Sequence, residues 1–279
     1  MAQKKTGGIE AAFFIYLILI SGAFVMILPF VWMVLTAFKT FPETVIIPIK
    51  WLPSKLQLDN FREVLNRLNF ARYYFNTIFV TLSITLLQAL LCSMAAYGFA
   101  RIRFPGREVL FIVLLSVLMI PQQMTLMPSY VLLSRLRWVD TYFALIIPNL
   151  FSAYGTFFLR QFYKSLPDEL EEAAIIDGTS RLGIYWRIFL PLSTTALAAF
   201  GVFTILWAWN DLLWPLIMTS RESLRVLSVG VASLVGGQNA TRHNLLMTAA
   251  VLATTPMIVL FVLLQKQFLA GISFTAKNY

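Results

Sequence analysis

The sequence predicts an all-α integral membrane protein of six transmembrane helices. Three observations predict it. The chain is 59% hydrophobic and only 13% charged, whereas soluble domains are about 45–50% apolar and about 25% charged. Its mean hydropathy is +0.76. Six largely uncharged runs recur along it, with Lys and Arg falling mostly between them, and a helical crossing needs ~20 such residues. The net charge of +9 therefore reads as anchoring of span ends at anionic headgroups, and nucleic acid is not an expected partner. One cysteine, Cys92, and one histidine, His243, exclude a disulfide framework and a Cys/His metal cluster. Cys92 reads as a small buried hydrophobe and His243 as an interfacial polar residue beside Arg242. No Gly-Lys pair occurs, so the chain carries no Walker-type phosphate loop.

Taken in order, the short polar N-terminus MAQKKTGGIE leads into Ala11–Phe38, a charge-free run of 28 residues. Its basic flank is that of a signal peptide, but its apolar core is too long and continuous for one. It reads as a retained first span, 11–38, kinked at Pro29. Lys39–Arg72 is the longest polar connection. Three prolines predict an extended strip, followed by an amphipathic helix near Asp59–Leu68 capped by Asp59. It is either an external ledge for a partner or an interfacial helix with Trp51 as anchor.

The second span is 73–100, and a basic turn with Arg101, Arg103 and Arg107 follows. The third, 109–134, is interrupted by Pro121 and Pro128. Between them lie Gln122 and Gln123, amides that need partners because lipid offers none. They line a cavity or bond a neighbouring helix. The fourth span covers 141–163, its apolar run being Thr141–Leu159 with Pro148-Asn149 near the middle. The fifth, 193–218, holds Trp207, Trp209, Asn210, Asp211 and Trp214. Asp211 is the only acid enclosed in an apolar run. Indole rings beside amide and carboxylate groups suit sugar faces and hydroxyls; the alternative is an interfacial aromatic belt. Thr219–His243 contains the loop tip GGQN at 236–239 and a glycosylation sequon, Asn239-Ala240-Thr241. The sixth span is 244–265, before the tail KQFLAGISFTAKNY. The whole of 1–279 is one transmembrane domain with both termini on one side. Charge does not name that side, because the two sets of connections hold eleven Lys and Arg each.

The stretch between the fourth and fifth spans, 165–191, is unlike a simple turn. SLPDELEEAAIIDGTSRLGIYWRIFLP places Asp168, Glu169, Glu171 and Glu172 within five positions. Ser165 and Asp168 read as a capping box with Pro167 in the first turn, and acids there favour the positive helix end. Gly178 is expected to stop this helix in a left-handed conformation. Thr179 or Ser180 then caps a second short helix running to Pro191. An interfacial helix on headgroups would ordinarily be basic. An acidic start with small residues at its centre suits a protein dock.

Glu172-Ala173-Ala174, three residues to Gly178, nine more to Ile188, then Leu190-Pro191 resembles the EAA loop of permease subunits of bacterial ABC importers. FFLRQFYKSLPDELEEAAIIDG, WNDLLWPL and the six spans extend the likeness over nearly the whole chain, toward the second permease of maltose-type carbohydrate systems. The resemblance implies that the loop is a coupling helix contacting an ATPase through Glu172, Ala173, Ala174, Asp177 and Gly178. It also implies a second related permease, two copies of a cytoplasmic ATPase that bind the ATP and Mg, an extracytoplasmic solute-binding protein, and alternating access. Cytoplasmic termini in the bacterial inner membrane follow. The last external loop, within Thr219–His243, would reach the binding protein, and the tail would contact the ATPases. No cofactor and no enzymatic activity are expected in this chain.

Gln122, Gln123, Asn149, Trp209 and Asn210 are the candidate lining of the solute path, with a carbohydrate as cargo. A glycerol phosphate derivative, amino acid or peptide is the alternative within the class. An ion-coupled secondary transporter would need intramembrane ionisable groups, and only Asp211 qualifies. A non-transporting scaffold would leave the EAA spacing unexplained.

Overall fold

The computed structural model describes residues 6–235 and 242–276. The sequon, the GGQN tip and the last three residues of the tail lie outside them. Among the described residues every regular element is helical. The helix α1 is Thr6–Ala37 with Pro29 inside it. It is followed by α2 (Phe41–Val45), α3 (Asp59–Arg67) and α4 (Phe70–Arg101). Next, α5 (Arg107–Ser116) ends in a 3₁₀ turn, Val117–Met119, before α6 (Gln122–Arg135). Then α7 (Tyr142–Ile146) runs through a 3₁₀ turn, Ile147–Asn149, to α8 (Ala153–Lys164). The acidic loop holds α9 (Glu169–Ile176), α10 (Arg181–Ile184), a π-helical turn Tyr185–Phe189 and α11 (Leu190–Leu192). The chain closes with α12 (Thr194–Asn210), α13 (Leu213–Met218), α14 (Leu227–Ala232) and α15 (His243–Ala276).

Three of these, α1, α4 and α15, are each long and apolar enough to cross a membrane. Three bent pairs meet the same test together: Arg107–Met119 with Gln122–Arg135 at 98°, Tyr142–Asn149 with Ala153–Lys164 at 41°, and Arg181–Leu192 with Thr194–Asn210 at 74°. Counting each pair once gives six. Prolines explain two of the breaks: Pro121 and Pro148 lack the amide that would continue the ladder. The run expected as one span over 193–218 departs from that reading. Its helix ends at Asn210, and Asp211 is extended (φ −66°, ψ 121°). The Asp211 carboxylate accepts the Trp214 amide at 3.3 Å and so helps start α13. The sixth run is longer than expected, because α15 continues to Ala276.

One compact unit takes the chain to Asn69 together with Val231–Pro256. Its pivot is buried Asn60, which donates to the Ala37 and Lys39 carbonyls at 2.8 Å each and accepts from Asn244 at 2.9 Å. The carbonyls at the end of α1 have no helical partner of their own, and Thr248 also donates to Ala37, at 3.1 Å. Asp59 is the first residue of α3 and not its cap; Leu58 holds the cap position in helical geometry. The strip before it is not simply extended either. Thr40 and Glu43 form a capping box on α2. Glu43 also accepts from the Ser54 amide at 3.0 Å and from Lys50 at 3.3 Å. Hydrogen bonding to Ser54 and to the Thr40 amide holds the Glu43 carboxyl down at about 2. The Lys39 ammonium is buried 4.0 Å over the Trp32 ring, against which Trp51 packs edge-on.

The second unit is Phe70–Gly230 with Met257 onward. Its spine is α4, on which α8 and α12 pack. Gly155 of α8 allows this: a Cβ there would collide with the Phe200 ring of α12. Near the start of α4, buried Asn76 donates to the Ser223 and Arg225 carbonyls at 2.9 and 2.8 Å and accepts from Tyr142 at 2.6 Å. Those bonds fix the segment after α13. At the other end of α4, Cys92, Tyr97, Leu159, Tyr163, Ala174, Ile184, Tyr185 and Phe189 share one apolar core. Cys92 is buried in it as expected.

Candidate functional site

The acidic loop is built differently at its start from the sequence expectation. Ser165 does not cap it. The Ser165 hydroxyl donates back to the Phe162 carbonyl at 2.7 Å and closes α8. Asp168 occupies the cap position with helical dihedrals and no capping bond; its carboxylate pairs with Arg101 instead. The end of α9 is as expected. Gly178 is left-handed, φ +73°, and the Gly178 and Thr179 amides donate to the Ile175 and Ala174 carbonyls at 3.0 and 2.9 Å. That is the paired closure a helix makes through a left-handed glycine. Ser180 then caps α10, accepting from the Gly183 amide at 3.2 Å.

Two faces result. Glu171 and Ala174, three apart and so neighbours on one side of α9, point inward and are buried. Ala174 joins the core with Tyr97 and Ile184, and Glu171 pairs with Arg181. Glu172, Ala173, Asp177 and Gly178 point outward. The five residues expected to act together are therefore divided, with Ala174 on the inner face. Sequence reasoning missed the apolar half of the outer face, where Ile176 is 85% and Leu182 64% exposed. Their signal was a large aliphatic side chain on each side of a glycine turn in an otherwise polar loop.

Two buried arginines brace this end of the structure: Arg101 ties the loop to α4 and α8, and Arg160 ties α8 to α4 and α5. The Arg101 side chain is only 5% exposed. It donates through Nε to the Tyr163 carbonyl at 3.1 Å, and through the guanidinium to Leu166 and to Asp168. Its guanidinium lies 5.1 Å from the Phe189 ring. One side chain at the end of α4 thus satisfies the end of α8, the entry to α9 and the ring face of the π turn. Arg160, 4% exposed, donates to the Phe99 carbonyl at 3.1 Å and to both oxygens of Glu108 at 2.7 and 2.8 Å, above the Phe111 ring at 3.9 Å. Each charge has several partners, and a buried guanidinium requires them.

Away from the loop, a cavity of about 360 Å³ opens among α4, the α7–α8 break and α12. Gln122 and Asn149 line it, as do Gln88, Ser152, Thr204 and Trp207. Gln88 donates to the Asn149 carbonyl at 2.8 Å and accepts from Thr204 at 3.2 Å. Gln123, Trp209 and Asn210 are not among the lining residues. Asn210 is exposed and donates to the Leu206 carbonyl at 2.8 Å. Trp214 is buried, its indole nitrogen donating to the Ala144 carbonyl at 2.9 Å, so its ring is unavailable to a solute. Gln88 was legible in principle: an amide inside an uncharged run invites the same reading as Gln122. Among the described residues, none that lines the cavity carries a charge.

A sequence profile for binding-protein-dependent transport system inner membrane components matches residues 88–273. The chain belongs to that family. It is a membrane permease component of an ABC transport system and not an enzyme. Among the relatives of this permease is the arabinooligosaccharides transport system permease protein AraQ of Halalkalibacterium halodurans, 33% identical over 90% of this chain and 91% of that protein. The probable ABC transporter permease protein YurM of Bacillus subtilis is 33% identical over 93% of this chain and 85% of that one. The sn-glycerol-3-phosphate transport system permease protein UgpE of Yersinia enterocolitica is 35% identical over 74% of each. The fold matches a crystal structure of a bacterial ABC transporter that imports the acidic polysaccharide alginate. The TM-score is 0.84 at 20% identity, over 96% of this permease and 100% of that chain. A second alginate transporter structure, in complex with an alginate-bound periplasmic protein, matches with a TM-score of 0.61 at 17% identity, over 94% and 96%.

Proposed function

We propose that this permease forms half of the membrane path of an ATP-driven importer for a sugar or oligosaccharide. It receives cargo from an extracytoplasmic binding protein, and a related permease forms the other half. One of two cytoplasmic ATPase copies engages the loop from 165 to 191, six crossings form one transmembrane domain, and both termini lie in the cytoplasm. The observation that carries the reading is the two-faced loop. Its outer surface combines Glu172, Ala173, Asp177 and Gly178 with bare Ile176 and Leu182, while Arg101 binds its root to α8. A motor pulling on such a surface moves the helices behind it.

The cavity supports an uncharged cargo. Gln88, Gln122, Asn149 and Thr204 offer amide and hydroxyl groups beside the Trp207 ring. Those groups suit sugar hydroxyls and a sugar face, and no cationic side chain among the described lining residues would hold a phosphate ester. The relative UgpE supports a glycerol phosphate derivative as the second reading.

The test uses the transporter reconstituted with its partner subunits. Glu172→Arg and Gly178→Pro are expected to leave the subunit inserted and to uncouple ATP hydrolysis from uptake. Normal uptake in both would reject the coupling surface. Gln122→Ala, Asn149→Ala and Trp207→Ala are expected to weaken uptake of a neutral oligosaccharide while ATPase coupling is retained. Unchanged affinity in all three would reject the cavity, and selective uptake of a phosphate ester would favour the second reading.

A further inference from the structure

The turn between α4 and α5 forms a second open cavity, of about 370 Å³, lined by Arg103, Phe104, Gly106, Arg107, Glu108 and Val109. It lies apart from the solute cavity, and the coupling reading uses neither Arg103 nor Arg107. We propose that it binds the anionic headgroup of a phospholipid, whose acyl chains lie along α5.

The charge balance carries the first half of the argument. Glu108 is the one acid in the lining, and it is committed elsewhere. Both its oxygens accept from Arg160 at 2.7 and 2.8 Å, and Oε1 also meets Arg107 at 3.1 Å. Arg103 is exposed and has no ion pair among the described residues. The cavity is therefore left with unneutralised positive charge.

The apolar surface carries the second half. From the rim of this basic pocket, α5 leads away with Val109, Leu110 and Val113 more than half exposed, and Val109 and Val113 stand one turn apart on one face. A soluble anion would use the arginines and leave that stripe bare. A molecule with a negative head and hydrocarbon tails uses both. Basic clusters at a membrane border attract acidic lipids by about 1 kcal/mol per Lys or Arg, which is about fivefold per residue.

The experiment is native mass spectrometry of the transporter purified with its partner subunits, stripped of lipid and titrated with phosphatidylglycerol or phosphatidylcholine. Phosphatidylglycerol is expected to be retained over phosphatidylcholine. Arg103→Gln should weaken that retention about fivefold and Arg103→Gln with Arg107→Gln about 25-fold. Arg103 makes no hydrogen bond or ion pair among the described residues, so the single variant keeps the test valid if the double variant is unstable. Equal retention by wild type and Arg103→Gln overturns the proposal, as does equal retention of the two lipids. Displacement by glycerol phosphate or inorganic phosphate at matched concentration would assign a free-anion site and also overturn it. Absence of lipid from the assembled transporter would show that a partner subunit covers the cavity, which overturns it equally. None of these outcomes bears on whether the acidic loop couples to an ATPase.

Discussion

Arg101 gathers the carbonyls of Tyr163 and Leu166, the carboxylate of Asp168 and the ring of Phe189 around a single guanidinium. Arg101→Gln strands buried carbonyls at the end of α8, a loss of about 1–3 kcal/mol. Arg101→Lys restores charge but not the planar fork that reaches several acceptors at once. The expected outcome is an inserted, assembled transporter whose ATPase rate responds less to the loaded binding protein, more so for Gln than for Lys. Stimulation equal to wild type in both variants would remove Arg101 from the transmission path. At this scale the sequence was legible where backbone chemistry dominates: Gly178 and Ser180 took the roles that a left-handed turn and a hydroxyl cap dictate. It was not legible for Ser165 and Asp168. Their local capping pattern lost to an arginine 67 positions earlier in the chain, and no local pattern contains that competitor.

Among elements, the segment 39–58 illustrates how polar chain outside the spans acquires order. Glu43 lies at about 2, below its usual 4.5, so its ionised form stabilises the folded segment. That contribution is complete above about pH 4.5 and fades as the pH falls toward 2. Glu43→Gln should speed hydrogen exchange at the Thr40 and Ser54 amides near neutral pH, by the equivalent of about 1 kcal/mol for a lost cap. The difference from wild type should shrink as the pH falls from 4.5 toward 2, and a pH-independent difference would refute the ionic origin. The sequence named Pro121 and Pro128 as interruptions and left Pro148 in mid-span; the chain bends beside Pro121 and Pro148, while Pro128 lies inside the unbroken α6. Nor did it give the angles of those bends, 98° and 41°, because packing sets direction once the ladder is cut. Asp211 was read as the only acid enclosed in an apolar run; the sequence did not show that its carboxylate accepts the Trp214 amide where α12 ends.

For the molecule as a whole, hydropathy made the membrane class plain, and the EAA spacing made the family plain. The equal charge counts left orientation to the resemblance. The proposed orientation makes a direct prediction in a Cys92→Ala background, which removes the only cysteine. A cysteine at Ile176 should react with an impermeant maleimide only after the cytoplasmic face is exposed, and one at Ser223 should react in intact cells. The reverse pattern would invert the topology and sink the coupling reading with it. The separation of Ala174 and Glu171 from Glu172, Ile176 and Leu182 across one short loop has a further consequence. The side chains that hold the loop in place are not those it presents. Selection, or an engineer, is therefore free to rewrite the presented set without disturbing the anchorage. Importers within one cell could in this way share a common engine, or be made orthogonal to one another, by exchanging three or four side chains.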